Sequence, residues 1–280
     1  MKLTVSYRFL FALFFAVLGF CLGARLWIRH SGLIALDTGF YSGAGELVFA
    51  FNAVLALGVV SFYLFYLLRR TERDYPVVCG SKPLGLLAIF AGISIALFQL
   101  EALRVPVLAT ANPGVRLDGI PLIFSATLGL FSAAAFIAVG CFGMFSRGGV
   151  RGGVLSLFSG VWLLLTLVFK FNDFTTLTSI SDNLLTVLFM VFGALFLVGH
   201  ARTLSGLSRK DGRNYTIPSG LATALFGFLL VIPNWSAAVM DGTNSLPAPL
   251  LGSFESLFVF VMSFYALLFV RRTCLNIQRV

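Results

Sequence analysis

Charge is scarce in this chain, histidine nearly absent and cysteine thinly spread. Charged residues make up 11% of its 280 residues, beside two histidines and four cysteines. So little charge excludes an ordinary soluble domain, in which about a quarter of residues are charged. Cys21, Cys79, Cys141 and Cys274 show no paired spacing, and His30 and His200 stand far apart. That pattern excludes the clustered ligands of a zinc site and the external pairs of a disulfide framework. No metal or other cofactor is expected. The longest inner connections, 69–83 and 202–216, are too short for a nucleotide-binding fold. The cluster Gly148, Gly149, Gly152 and Gly153 lacks the Lys-Ser/Thr ending of a phosphate loop and reads as a tight inner turn.

What the chain has is hydrocarbon: 59% hydrophobic residues and a mean hydropathy of +0.97. Eight apolar runs, at 9–28, 47–68, 84–103, 121–145, 154–171, 183–201, 217–239 and 253–270, are each close to the length of about 20 residues that a bilayer crossing needs. They are continuous and do not alternate, which selects helices over a β-barrel. The expected fold is therefore all-α: a polytopic membrane bundle of eight transmembrane helices, one domain over 1–280.

A formal charge of +9 raises the question of nucleic acid, and its distribution answers it. Fifteen of the twenty basic residues fall on alternate connections and the two termini, leaving Arg25, Arg29, Arg104, Arg116 and Lys170 on the opposite side. Lys and Arg resist translocation, so the rich side is expected to be cytoplasmic, both termini with it, in the plasma membrane. The bilayer is the expected partner and nucleic acid is not; anionic-lipid binding by the inner face is the lesser reading of the same residues. Residues 2–24 have the outline of a secretory signal, but the bulky Phe20 before Cys21 disfavours lipoprotein cleavage and the first helix is expected to be retained.

The inward-to-outward spans share a glycine register. Gly85 and Gly92, Gly153 and Gly160, and Gly220 and Gly227 are each seven residues apart, with Ala12 and Gly19 matching in the first span. Gly19, Gly92, Gly160 and Gly227 recur at intervals of 73, 68 and 67 residues. Four tandem two-helix hairpins, related about an axis along the membrane normal, account for this spacing. Seven residues are about two helical turns, so each pair marks one stripe of close helix packing. Gly19 and Gly23, at GxxxG spacing, also offer a face for a membrane partner or a second copy of the chain.

Ionisable groups within spans point to function, because each is costly in hydrocarbon. Counting about 1.5 Å per residue from the inner ends puts Glu101 and Lys170 about 25 Å up, level with Glu46, Asp182 and Glu255. The bilayer centre is read as free of charge, which argues against a proton relay. The candidate ligand-binding residues are Glu101, Lys170, Asp182 and Glu255, joined by Asn52 within the second span and Asn234 beside Pro233 in the seventh. Pro233 is expected to kink its helix. Trp27, Tyr41 and Trp235 read as interfacial anchors; Trp162 sits mid-helix, and the phenylalanines read as lipid-facing or core bulk.

Three functional classes fit these features. A carrier or sensor would bind a small polar or cationic ligand in the outer polar layer. An accessory subunit would pack its glycine stripes against partner helices. An intramembrane enzyme would need an acid–base pair, and with no nucleophile–base pattern or metal motif it ranks last. The leading expectation is the ligand-handling protein, not an enzyme.

Overall fold

The computed structural model describes residues 7–31, 45–68, 81–110, 119–145, 153–174, 180–205, 209–240 and 254–278. Among the described residues all but Ser31 and Ser81 are α-helical. Eight helices follow one another: α1 (Tyr7–His30), α2 (Gly45–Leu68), α3 (Lys82–Thr110), α4 (Gly119–Phe145), α5 (Gly153–Phe174), α6 (Ile180–Ser205), α7 (Arg209–Met240) and α8 (Phe254–Gln278). Seven are long and apolar enough to cross a bilayer, which makes the chain an integral membrane protein.

Several helices outrun the apolar runs that define them. α3 continues past 103 to Thr110, and α7 is 32 residues long, beginning at Arg209. Main-chain bonding does not stop where the apolar run stops. α7 also continues through both Pro218 and Pro233. The Ser236 hydroxyl donates to the Pro233 carbonyl at 2.8 Å, so local side-chain bonding accompanies the passage through the second proline.

Cross-helix neighbours set the direction of each helix. Gly58 faces Val17, Gly85 faces Met144 and Gly92 faces Ile137. Gly160 faces Val198 and Gly193 faces Leu163, while Gly220 and Gly227 face Val270 and Ser263 across α8 and Phe196 and Phe189 across α6. Each of these pairs of helices is antiparallel, and α3 and α8 meet antiparallel through Phe98 and Phe258. Odd-numbered helices therefore run one way and even-numbered ones the other. α1 starts and α8 ends at the same end of the bundle.

The helix at the centre is α7. It packs on α1, α2, α6 and α8, and 89% of its membrane window is buried, against 22% for α2. It earns that place with small residues: Ser219, Gly220, Ala222, Thr223, Ala224 and Gly227 are all buried and let neighbours approach its backbone. The hydroxyls of Ser219 and Thr223 are turned back to the carbonyls of Tyr215 and Ser219, so they cost nothing to bury.

The glycine register does not mean the same thing in every hairpin. Gly92, Gly160 and Gly227 each face the second helix of their own hairpin. Gly19 and Gly23 face nothing within 4 Å; α1 instead fills the notch at Gly58 of α2 with Val17. Three hairpins use the stripe for internal packing, and the first turns it outward.

Packing at these glycines makes a test. A Cβ on Gly92 would lie 2.7 Å from the Ala133 carbonyl oxygen, a backbone atom that cannot swing aside. Gly92→Ala is predicted to lower stability by about 1–3 kcal/mol, read as a lower melting temperature in detergent. Gly19→Ala, at an open site, leaves it unchanged; equal effects would refute this account of the stripe.

Candidate functional site

At the end of the bundle away from the termini, Glu101 of α3 reaches the first turn of α8. Its Oε2 accepts the Phe254 main-chain N–H at 3.1 Å. One of the four orphan donors of the α8 N-terminus is thereby satisfied by a carboxylate, which the helix dipole also favours. Glu255 is the next residue of that turn and is half-buried. One predicted acid thus meets the helix start that carries another, through a bond between helices far apart in sequence.

Inward of this acid pair lies an aromatic floor. Phe258, one turn below Glu255, stacks on Phe98 at 5.9 Å and meets the edges of Trp162 at 5.4 Å and Phe189 at 6.1 Å. Rings from α3, α5, α6 and α8 converge there. Trp162 is fully buried, and its Nε1 has no hydrogen-bond partner among the described residues. That nitrogen and the Gln99 side chain fill the notch left by Gly129 of α4.

From this notch a seam of buried polar groups continues toward the other end. Ser159 lies one turn inward of Trp162 on α5, and Ser132 one turn inward of Gly129 on α4. Both hydroxyls are fully buried without a partner among the described residues. One further turn inward, Phe136 stacks at 6.4 Å on His200. His200 Nε2 and the Tyr265 hydroxyl are 2.7 Å apart, inside a wall formed by Phe136, Phe196 and Phe269. Whichever atom donates, Nδ1 is left without a partner among the described residues. Buried polar atoms left unmatched each cost about 1–3 kcal/mol.

The remaining candidates are placed elsewhere. Asn234 Oδ1 accepts a hydrogen bond from Arg29 Nη1, tying α1 to α7 as a strut on the other side of the bundle. Asn52 is exposed on α2. Lys170 and Asp182 stand on the outer turns of α5 and α6, and their side chains lie outside the described residues, as do Cys79, Tyr41 and the 148–152 glycines. Trp27 is exposed at the end of α1, as an interfacial ring would be, whereas Trp235 packs against Phe260 at 4.7 Å.

In the sequence His200 stands out only as a candidate metal ligand, and Tyr265, Gln99 and the serines carry no motif. His200 is the penultimate residue of the run 183–201, so the run itself does not mark it as a core group. The partner, 65 residues away, is not signalled by any local pattern.

No family model, curated protein or solved structure matches the chain, so its chemistry is read from these residues alone.

The His200–Tyr265 pair predicts a sign of coupling. Tyr265→Phe strands His200 Nε2 in the core and is predicted to cost about 1–3 kcal/mol. His200→Phe strands the Tyr265 hydroxyl in turn. The double variant is predicted to be less destabilised than the sum of the two, measured by unfolding in detergent; strict additivity would mean that the pair contributes no coupling.

Proposed function

We propose that this protein binds a small cationic or polar ligand at the acid pair and carries it along, or senses it through, the polar seam. In this reading both termini are cytoplasmic in the plasma membrane, so the acid pair faces outward, and the positive-inside distribution supports that orientation. The observation that carries the reading is the line of unmatched polar atoms inward of Glu101 and Glu255, at Trp162, Ser159, Ser132 and His200. A packed apolar interior has no use for orphan donors, whereas water or a polar solute moving between helices satisfies them in turn. Carboxylates over an aromatic floor favour a cation, since both ring faces and acids attract positive charge. Such a protein would pass its ligand between α3, α4, α5, α6 and α8, with α7 as the fixed support.

The test is the melting temperature of the detergent-purified protein against amines, amino acids, nucleosides and inorganic ions. A ligand specific to the folded state at 100 times its Kd adds about 2.7 kcal/mol. An amine is expected to raise the melting temperature, and Glu101→Gln is expected to abolish that rise while leaving the unliganded value nearly unchanged. Glutamine removes the charge but keeps a carbonyl for the Phe254 N–H. No shift with any soluble compound, or an undiminished shift in Glu101→Gln, would sink the reading.

The second reading, an accessory subunit, is favoured by the outward face of α1. Ala12, Ala16, Gly19 and Gly23 form one exposed stripe with spacing suited to close helix association. If that face binds a second copy, Gly19→Leu is expected to convert a dimer in mild detergent to monomer; a monomeric parent chain removes the homodimer form of this reading.

A further inference from the structure

At the end of the bundle that carries both termini, α1 and α8 each pack along α7, and a half-open groove of about 610 Å³ separates them. Its volume is within the range of about 300–1,000 Å³ usual for small-molecule sites. Phe11 and Phe15 line one wall, Phe264 and Leu267 the other, and the buried Tyr7 and Cys274 close its base. The apolar walls lead to two guanidinium groups, Arg8 from α1 and Arg271 from α8. Arg271 also borders a second cavity of about 250 Å³, together with Arg272 and the start of α3. The Arg272 Nε is buried there with no hydrogen-bond partner among the described residues.

We propose that this groove binds one anionic phospholipid of the arginine-side leaflet, its acyl chain between α1 and α8 and its phosphate held by Arg8 and Arg271. The order of chemistry along the groove, hydrocarbon and then positive charge, is the order of a phospholipid read from chain to headgroup. A soluble anion would satisfy the arginines but leave the aromatic walls unused. A zwitterionic lipid would fill the walls but place its own cation against the guanidinium groups. Guanidinium groups suit phosphate because their planar donors bind two of its oxygens at once. Basic pockets between helices at the cytoplasmic side are where such headgroups are recognised. The site is separate from the acid pair and seam, so neither proposal depends on the other.

An attraction of about 1 kcal/mol for each arginine sets the size of the effect, near thirtyfold in affinity for two. Full-length protein, delipidated in a neutral detergent, is titrated with dioleoyl phosphatidylglycerol, dioleoyl phosphatidylcholine or sodium phosphate. Binding is read by native mass spectrometry and by melting temperature. Phosphatidylglycerol is expected to bind about thirtyfold more tightly than phosphatidylcholine and to raise the melting temperature, while phosphate alone does neither. Arg8→Gln with Arg271→Gln is expected to erase that preference. Leu267→Trp, which fills the groove but keeps both charges, is expected to weaken binding of both lipids. Equal binding of the two lipids, a preference that survives the double substitution, or a stabilisation reproduced by phosphate alone would each overturn the proposal. Should the double variant fail to fold, undiminished phosphatidylglycerol binding by Leu267→Trp overturns it independently.

Discussion

Hydrocarbon offers a main-chain N–H or C=O no partner, and this single constraint shapes the whole molecule. Each segment that crosses the bilayer must satisfy its own backbone, so each is a helix. The same solvent then removes the usual reason for helices to associate, because lipid tails are as apolar as leucine. Association has to come from close approach and from a few polar bonds. α7 answers the first need, with small residues wherever α6 or α8 leans on its backbone. The second is met at the end away from the termini, where Glu101 caps α8 and Arg29 holds Asn234.

Polar side chains within the bundle fall into two groups by how they are satisfied. Most serine and threonine hydroxyls return to a carbonyl one turn earlier, as Ser94, Thr166, Thr203, Ser263 and Thr273 do. Such bonds are local, and they make a hydroxyl compatible with any packed helix. Ser132, Ser159, Trp162 and His200 depart from that habit. Ser159, Trp162 and His200 stand on helices that also carry the aromatic floor, and Ser132 stands on the neighbouring α4. The ends of the bundle differ in their bonds as well: Glu101 caps α8 and Arg29 holds Asn234 at one, and Arg8 and Arg271 line a groove at the other.

Much of the fold was legible in the primary structure. Helix number, alternation and the common side of the termini follow from run length and charge distribution, which depend on each segment's own partition between water and lipid. Helix ends were less legible: the turns of α3 and α7 beyond the apolar runs owe their shape to main-chain bonding, which hydropathy does not report. The glycine register was legible as spacing but not as meaning, since spacing cannot tell a stripe that meets a neighbour, as at Gly92, from one that meets lipid, as at Gly19.

The site divides along the same line. That Glu101 and Glu255 share a depth could be counted from the chain, because rise per residue in a helix is constant. That Glu101 meets the helix start carrying Glu255 depends on α3 lying against α8, and Asn234 and Asn52, of equal promise in the chain, were sent to a strut and to an exposed helix face. The pairing of His200 with Tyr265, the notch at Gly129 and the groove between α1 and α8 have no counterpart in the linear order. The sequence by itself determined which segments enter the membrane and in which alternation, a matter of transfer free energy summed over neighbouring residues. Only the tertiary structure decided which polar groups meet, because that is set by the azimuth at which each helix packs, and lateral packing in lipid is chosen by shape between segments that the chain keeps far apart.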